Sequence, residues 1–104
     1  MAHDLAIRGG TLATATETFK ADIGIRNGRI ATISEAITDA REVIDATNQI
    51  VMPGGIEAHC HIAQESGMGV MTSDDYETGS ISAAFGGNSC FVPFAAQKAG
   101  KSLA

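Results

Sequence analysis

Two histidines near the middle of the chain have a spacing that suits metal binding. His59 and His61 are two residues apart. On a β-strand this spacing puts both imidazoles on one face, while Cys60 points to the other. Two neutral imidazoles that converge at a strand end suit Zn²⁺ or another borderline transition metal. The pattern predicts half of a metal site of the kind that hydrolases use. The alternatives are a chance occurrence of the spacing and a pair of strand histidines hydrogen-bonded to the backbone.

Glu57 lies two residues before His59 and shares its predicted face. One interpretation is that its carboxylate accepts a hydrogen bond from an imidazole and so orients the ring toward the metal. Another is a buried carboxylate that stabilises the end of the strand. A partly solvated glutamate without that role is an equal alternative.

A loop that alternates glycine with apolar residues follows the histidines. Its apolar members are Met68, Val70 and Met71, next to Gly67 and Gly69. These side chains are predicted either to wall a substrate pocket, with the glycines allowing movement, or to tuck into the local core.

Three acidic residues further on could hold a metal, but a helix start explains them better. They are Asp74, Asp75 and Glu77. Asp74 with Glu77 three residues later resembles a capping box, and carboxylates are stabilised by the positive end of a helix. We therefore predict a helix that begins after Asp74 and ends at Gly86-Gly87.

The elements that position these groups differ between the two halves of the chain. Residues 1–52 read as short strands, with a hairpin at Asn27-Gly28 and two further strands around Thr47-Asn48, which predicts a small antiparallel β unit. From Pro53 onward the pattern is strand, loop, helix and strand, which predicts a βαβ unit with parallel strands. A parallel pair needs both faces covered, so we expect the chain to be a piece of a longer protein.

Composition excludes several classes of partner. The chain is 44% hydrophobic and 18% charged, which argues against disorder. A net charge of −5 with seven scattered basic residues disfavours nucleic acid. The longest nearly apolar stretch, Cys90–Ala96, is too short to span a membrane, and no signal peptide is visible.

Cys60 and Cys90 are predicted to be reduced, buried thiols, which makes the cytoplasm the default compartment. His3 is expected to have no role in a frayed terminus.

Several segments together are typical of one protein family. They are Asp4–Thr11, Ala21–Ile30, Val43–Thr47, Pro53–His61, Gly67–Met71 and Ala83–Gly87. The first three resemble the opening of cyclic amidohydrolases, and the fourth resembles the first barrel strand of that family. The last two resemble the dihydropyrimidinase and hydantoinase branch. This resemblance covers essentially all 104 residues.

The resemblance implies a fold and a site. The family combines a TIM-type (β/α)₈ barrel with a β-sandwich, so residues 1–52 would be the N-terminal portion of the sandwich. Residues 53–104 would then be the start of the metal-dependent hydrolase barrel. His59 and His61 match ligands of the more buried metal in a two-metal zinc centre, and the loop with Met68, Val70 and Met71 matches the segment that shapes the substrate pocket.

The family likeness also implies chemistry and partners. The substrate would be a small cyclic amide, a dihydropyrimidine or hydantoin whose ring is opened by metal-activated water. The full-length protein would be a homotetramer or homodimer that binds neither nucleic acid nor membrane.

Two departures limit the match. Ala63-Gln64-Glu65 replaces an acidic residue followed by proline, and the family's bridging lysine, two further histidines and catalytic aspartate have no counterpart. An N-terminal fragment that is inactive alone is therefore expected. The alternatives are a non-catalytic truncated paralogue that binds or oligomerises, and an allantoinase- or dihydroorotase-like enzyme.

Overall fold

The computed structural model describes residues 2–103, and the chain divides into two compact units, Met1–Pro53 and Gly54–Ala104. The described part of the first unit forms seven strands: β1 (His3–Arg8), β2 (Thr11–Ala13), β3 (Thr18–Lys20), β4 (Asp22–Arg26), β5 (Arg29–Ser34), β6 (Ala40–Asp45) and β7 (Ile50–Val51). The second unit contains two strands with a helix between them: β8 (Gly55–Cys60), α1 (Tyr76–Phe85) and β9 (Asn88–Pro93).

The strands of the first unit form two sheets, in the orders β5-β4-β1-β6 and β3-β2-β7. Strand β1 pairs in parallel with β6, and β2 pairs in parallel with β7, while the other pairs are antiparallel. The prediction of an antiparallel unit is therefore wrong for the pairs β1–β6 and β2–β7 and agrees with the other pairs. Hairpin signals are local in sequence, whereas each parallel partner comes from a distant part of the chain and leaves no mark in a turn.

The turn at Thr47-Asn48 joins strands of different sheets rather than forming a hairpin. Strand β6 pairs with β1 in one sheet, and β7 pairs with β2 in the other. Between them, the N–H of Ala46 donates to the carbonyl of Arg8 at 2.8 Å. Gly9 has a φ of +74°, and a Cβ there would lie 2.8 Å from Oγ1 of Thr47. The close passage of the two segments therefore requires glycine at this position.

The predicted hairpin at Asn27-Gly28 is confirmed. Strands β4 and β5 pair in antiparallel register, and the two turn residues have φ angles of 52° and 71°. Positive φ at both central positions is the requirement of a type I′ turn, which asparagine and glycine tolerate.

The core of the first unit lies between its two sheets. The buried residues Leu12, Ala21 and Ile23 form its centre. Beside them the buried carboxylate of Asp22 accepts hydrogen bonds from the backbone N–H groups of Gly9 and Ile37, each at 2.9 Å. A buried carboxylate that is satisfied in this way ties three separate segments together.

The predicted βαβ unit has its parallel strands in the structure. Strand β8 pairs in parallel with β9, with Ile56 opposite Cys90 and Cys60 opposite Pro93. The helix ends at Gly86-Gly87 as predicted. None of the described residues from Gly54 onward is buried.

The cap of α1 is Asp75 and not the predicted Asp74. The side chain of Asp75 accepts from the backbone N–H of Thr78 at 2.9 Å, and Oγ1 of Thr78 accepts from the N–H of Asp75 at 3.1 Å. The capping box is thus shifted by one residue, because the threonine hydroxyl closes it in place of Glu77.

Two other predictions, on His3 and on the cysteines, are corrected. His3 begins β1 and is half-buried, with its ring nitrogens 3.1 Å from the carbonyl oxygen of Asp39 and 2.9 Å from Oγ1 of Thr32. Both cysteines are free, but Cys60 is only half-buried and Cys90 is exposed.

No helix within residues 2–103 is long and apolar enough to cross a membrane.

Candidate metal-binding site

The two histidines meet at the carboxyl end of β8. His59 is the last residue but one of the strand, and His61 follows its end. Their ring centroids are 5.4 Å apart, with an angle of 63° between the ring planes. Two imidazoles bound to one tetrahedral zinc ion have centroids about 5 Å apart, so this separation fits two ligands of one metal.

Phe94 completes a cluster of three rings with these histidines. Its ring lies 4.5 Å from that of His59 and 4.4 Å from that of His61, and it is stacked on His61 at 5°. Phe94 follows the end of β9, and its N–H donates to the carbonyl of Cys60 at 3.1 Å. Phe94 was not among the predicted site residues, although an apolar residue just beyond a parallel neighbouring strand is a signal that could have pointed to it.

Gln64 contacts the ring of His61. The side-chain oxygen of Gln64 lies 3.1 Å from Nδ1 of His61. An amide oxygen only accepts hydrogen bonds, so this contact is a hydrogen bond in the tautomer that carries its proton on Nδ1 and keeps a lone pair on Nε2. A ligating histidine has this arrangement when its second nitrogen donates to a carbonyl oxygen.

Glu57 contacts the backbone of His59 rather than its imidazole. Its Oε1 accepts from the N–H of His59 at 2.9 Å. This bond fixes the main chain at the end of the strand from which the first imidazole projects.

The glycine-containing loop is a small hairpin with exposed apolar side chains. Its stem is closed by hydrogen bonds from Ser66 N–H to the carbonyl of Val70 at 2.8 Å and from Gly69 N–H to the carbonyl of Ser66 at 3.0 Å. The side chains of Met68, Val70 and Met71 are 87%, 63% and 61% exposed. Within the described residues these side chains do not belong to a local core, which leaves them free to contact a ligand or another part of a protein.

The acidic residues near the helix start form no metal site with the histidines. Asp75 is the helix cap, and the hydrogen bond from the N–H of Thr78 lowers its pKa below the usual range. No group of three or more His, Cys, Asp or Glu side chains within residues 2–103 could hold a metal ion. The donor groups of residues 2–103 therefore fit two ligands of one metal, His59 and His61, and no third ligand lies beside them.

Comparison with known proteins agrees with the sequence pattern. No family model matches the chain. The D-hydantoinase of Geobacillus stearothermophilus is 43% identical over 98 residues, which are 93% of this chain and 21% of that protein. Dihydropyrimidinase 1 of Caenorhabditis elegans is 42% identical over 96 residues, which are 90% of this chain and 19% of that protein.

Solved structures point the same way. The crystal structure of dihydropyrimidinase from Brevibacillus agri NCHU1002 superposes with a TM-score of 0.86 at 42% identity, covering 93% of this chain and 21% of that one. The chain thus spans about a fifth of the length of the relatives it matches. Over that fifth of their length, the chain is similar to D-hydantoinases and dihydropyrimidinases.

Proposed function

We propose that the chain contributes two metal ligands and the first strands of a barrel to a hydrolase that opens cyclic amides. The substrate would be a dihydropyrimidine or a hydantoin, cleaved at a ring C–N bond. The observation that carries this proposal is the pair of imidazoles at the carboxyl end of a parallel strand, in a chain 43% identical to a D-hydantoinase. Parallel α/β enzymes gather their catalytic groups at this end of their strands.

His59 and His61 would hold the more buried metal of a two-metal centre. The bound zinc would acidify a water molecule and polarise the amide carbonyl. Glu57 holds the main chain of the first ligand, and Phe94 restrains both rings by contact. The exposed side chains of the loop, Met68, Val70 and Met71, would line the pocket for the substituent of the substrate.

The chain alone would be inactive. Two imidazoles do not complete a tetrahedral zinc site, and tight binding needs at least one more protein ligand. A sandwich and a (β/α)₈ barrel would be completed by sequence that the relatives carry beyond the matched fifth of their length.

A chimera tests this function. The matched segment of the Geobacillus stearothermophilus D-hydantoinase is replaced by this chain, and ring opening is followed on dihydrouracil and on a substituted hydantoin. We expect turnover by the chimera and its loss in His59→Ala and His61→Ala, because each removes a ligand. Cys60→Ala is the matched control between them and should retain activity.

Two results would count against the proposal. A folded chimera without turnover, or one whose turnover survives His61→Ala, would exclude the assigned role. Allantoin and dihydroorotate in the same assay decide between the substrate classes.

A non-catalytic binding role is the second candidate, and one observation favours it. An apolar groove of about 260 Å³ opens on the first unit, and Ile30, Ile33 and Met52 on its wall are more than half exposed. A folded chimera that contains no metal and forms oligomers would support this role instead.

A further inference from the structure

We infer that Gln64 is a positioning residue for His61, whose side-chain oxygen accepts a hydrogen bond from Nδ1 and leaves Nε2 as the nitrogen that binds the metal. The part of this inference that concerns metal binding rests on the proposed function. The hydrogen bond itself can be measured in the metal-free protein, so the two can fail separately.

The backbone around Gln64 is held in a way that turns its side chain toward the histidine. Ala63 has a φ of 50°, in the left-handed region that non-glycine residues enter at a cost of about 1 kcal/mol or more. Its N–H donates to the carbonyl of Asp74 at 2.9 Å, which holds the reversed chain in place. The N–H of Gln64 then donates to Oγ1 of Thr72 at 3.1 Å, and the N–H of Thr72 donates to the carbonyl of Gln64 at 2.8 Å.

These bonds fix the main chain of Gln64 and leave only its side chain to be ordered. Because the N–H and the carbonyl are both held, few torsions must be fixed to keep the carboxamide beside the ring, which keeps the entropic cost low. Its oxygen lies 3.1 Å from Nδ1 of His61, within hydrogen-bonding distance.

A second contact restrains the same ring from its face. Phe94 is stacked on His61 with 5° between the planes and 4.4 Å between the centroids. A stacked phenyl ring limits tilt, whereas an acceptor at Nδ1 fixes rotation about the side-chain bond and selects the tautomer. Together they direct Nε2 of His61 to one position. Within residues 2–103 the hydrogen bond of His59 is made by its backbone N–H and not by its ring, so His59 serves as an internal comparison.

The first experiment reads the tautomer in the absence of metal. The ¹⁵N-labelled 104-residue chain is studied by long-range ¹H–¹⁵N correlation of its histidine rings at pH 8, above the usual histidine pKa of about 6.5. We expect the proton of His61 to lie on Nδ1. Gln64→Leu should return the ring to the Nε2–H form that imidazole prefers in water, and Gln64→Glu should keep Nδ1 protonated, because a carboxylate also accepts.

The second experiment reads metal affinity. Zn²⁺ titration of the same proteins should show binding weakened about tenfold or more by Gln64→Leu, the usual effect of removing an acceptor from a ligating histidine. Gln64→Glu should bind at least as tightly as the unsubstituted chain. Gln97→Leu is the matched control, since Gln97 donates to the carbonyl of Lys101 at 3.1 Å and does not contact the ring.

Several results overturn the inference. A proton on Nε2 of His61 in the unsubstituted chain would show that the amide donates rather than accepts, and an unchanged tautomer in Gln64→Leu would show that another group sets it. Equal Zn²⁺ affinity in the leucine and unsubstituted chains would remove the role toward metal. A different pair of results would overturn the proposed function instead: Nδ1 is protonated but no variant binds Zn²⁺, and the chimera contains no metal. In that case the hydrogen bond between Gln64 and His61 would stand without a role toward metal.

Discussion

The first unit buries apolar side chains from both of its sheets, whereas no described residue of the second unit is buried. Ile23 on β4 is 8% exposed, while Ile56 on β8 is 68% exposed and Phe85 at the end of α1 is 91% exposed. The candidate chemistry lies entirely in the second unit. The unit with the core thus carries no assigned ligand, and the unit with the ligands leaves much of its apolar surface in solvent.

This difference indicates how each unit is stabilised. The first unit obtains burial from contacts within residues 1–53, including the tied carboxylate of Asp22. The second unit has hydrogen-bonded strands, a capped helix and a closed loop, but its apolar side chains have no cover among the described residues. Backbone hydrogen bonds contribute little net stability without such cover, so we expect the second unit to open more readily.

The largest expected effect comes from a matched pair of isoleucines. Ile23→Ala should lower the free energy of unfolding of the first unit by about 2–5 kcal/mol, because it leaves a cavity in the core. Ile56→Ala should change the stability of the second unit by only about 0.5 kcal/mol, because that side chain is already in solvent. Urea titration followed by amide signals from β4 and β8 measures both. Equal losses would contradict the contrast between the units.

A smaller effect is expected from the buried carboxylate. Asp22→Ala should cost about 1–3 kcal/mol, because the N–H groups of Gly9 and Ile37 lose their acceptor. Asp39→Ala is the control, since its carboxylate also accepts from a backbone N–H, that of Ala2, but in an exposed position. The same urea titration measures the pair, and similar losses in both would show that burial of Asp22 is unimportant.

The smallest effect concerns the start of α1. Asp75→Ala should raise the hydrogen-exchange rates of the first helical amides several-fold, because the cap accepts from Thr78, whereas Asp74→Ala should leave them nearly unchanged. Protection should also depend on pH. The hydrogen bond from Thr78 lowers the pKa of Asp75, so its contribution is present above the unfolded pKa and is lost as pH falls through the lower folded value. A larger effect from Asp74→Ala would restore the original placement of the cap.

Local signals in the sequence predicted the parts of the fold that depend on neighbouring residues. Asn27-Gly28 marked a hairpin, and Gly86-Gly87 marked the end of a helix. The spacing of His59 and His61 predicted rings on one face, and the structure brings them together.

The features that the sequence did not predict depend on contacts between distant residues, or on a choice between two similar residues for one role. The parallel partners of β1 and β2 are remote in sequence, so no turn indicated them. Two adjacent aspartates could each cap α1, and the hydroxyl of Thr78 decided between them. Gln64 lies in a loop whose reversal at Ala63 is not encoded by a glycine, so its approach to His61 could not be predicted.

Zinc binding by the chain alone and by the chimera tests the central claim most directly. The 104-residue chain and the chimera are titrated with Zn²⁺ together with their His59→Ala and His61→Ala variants. Two imidazoles alone should bind weakly, the chimera should bind tightly, and each substitution should abolish binding in the first and sharply weaken it in the second. Tight binding by the chain alone, or a chimera whose zinc affinity is unchanged by either substitution, would contradict the account.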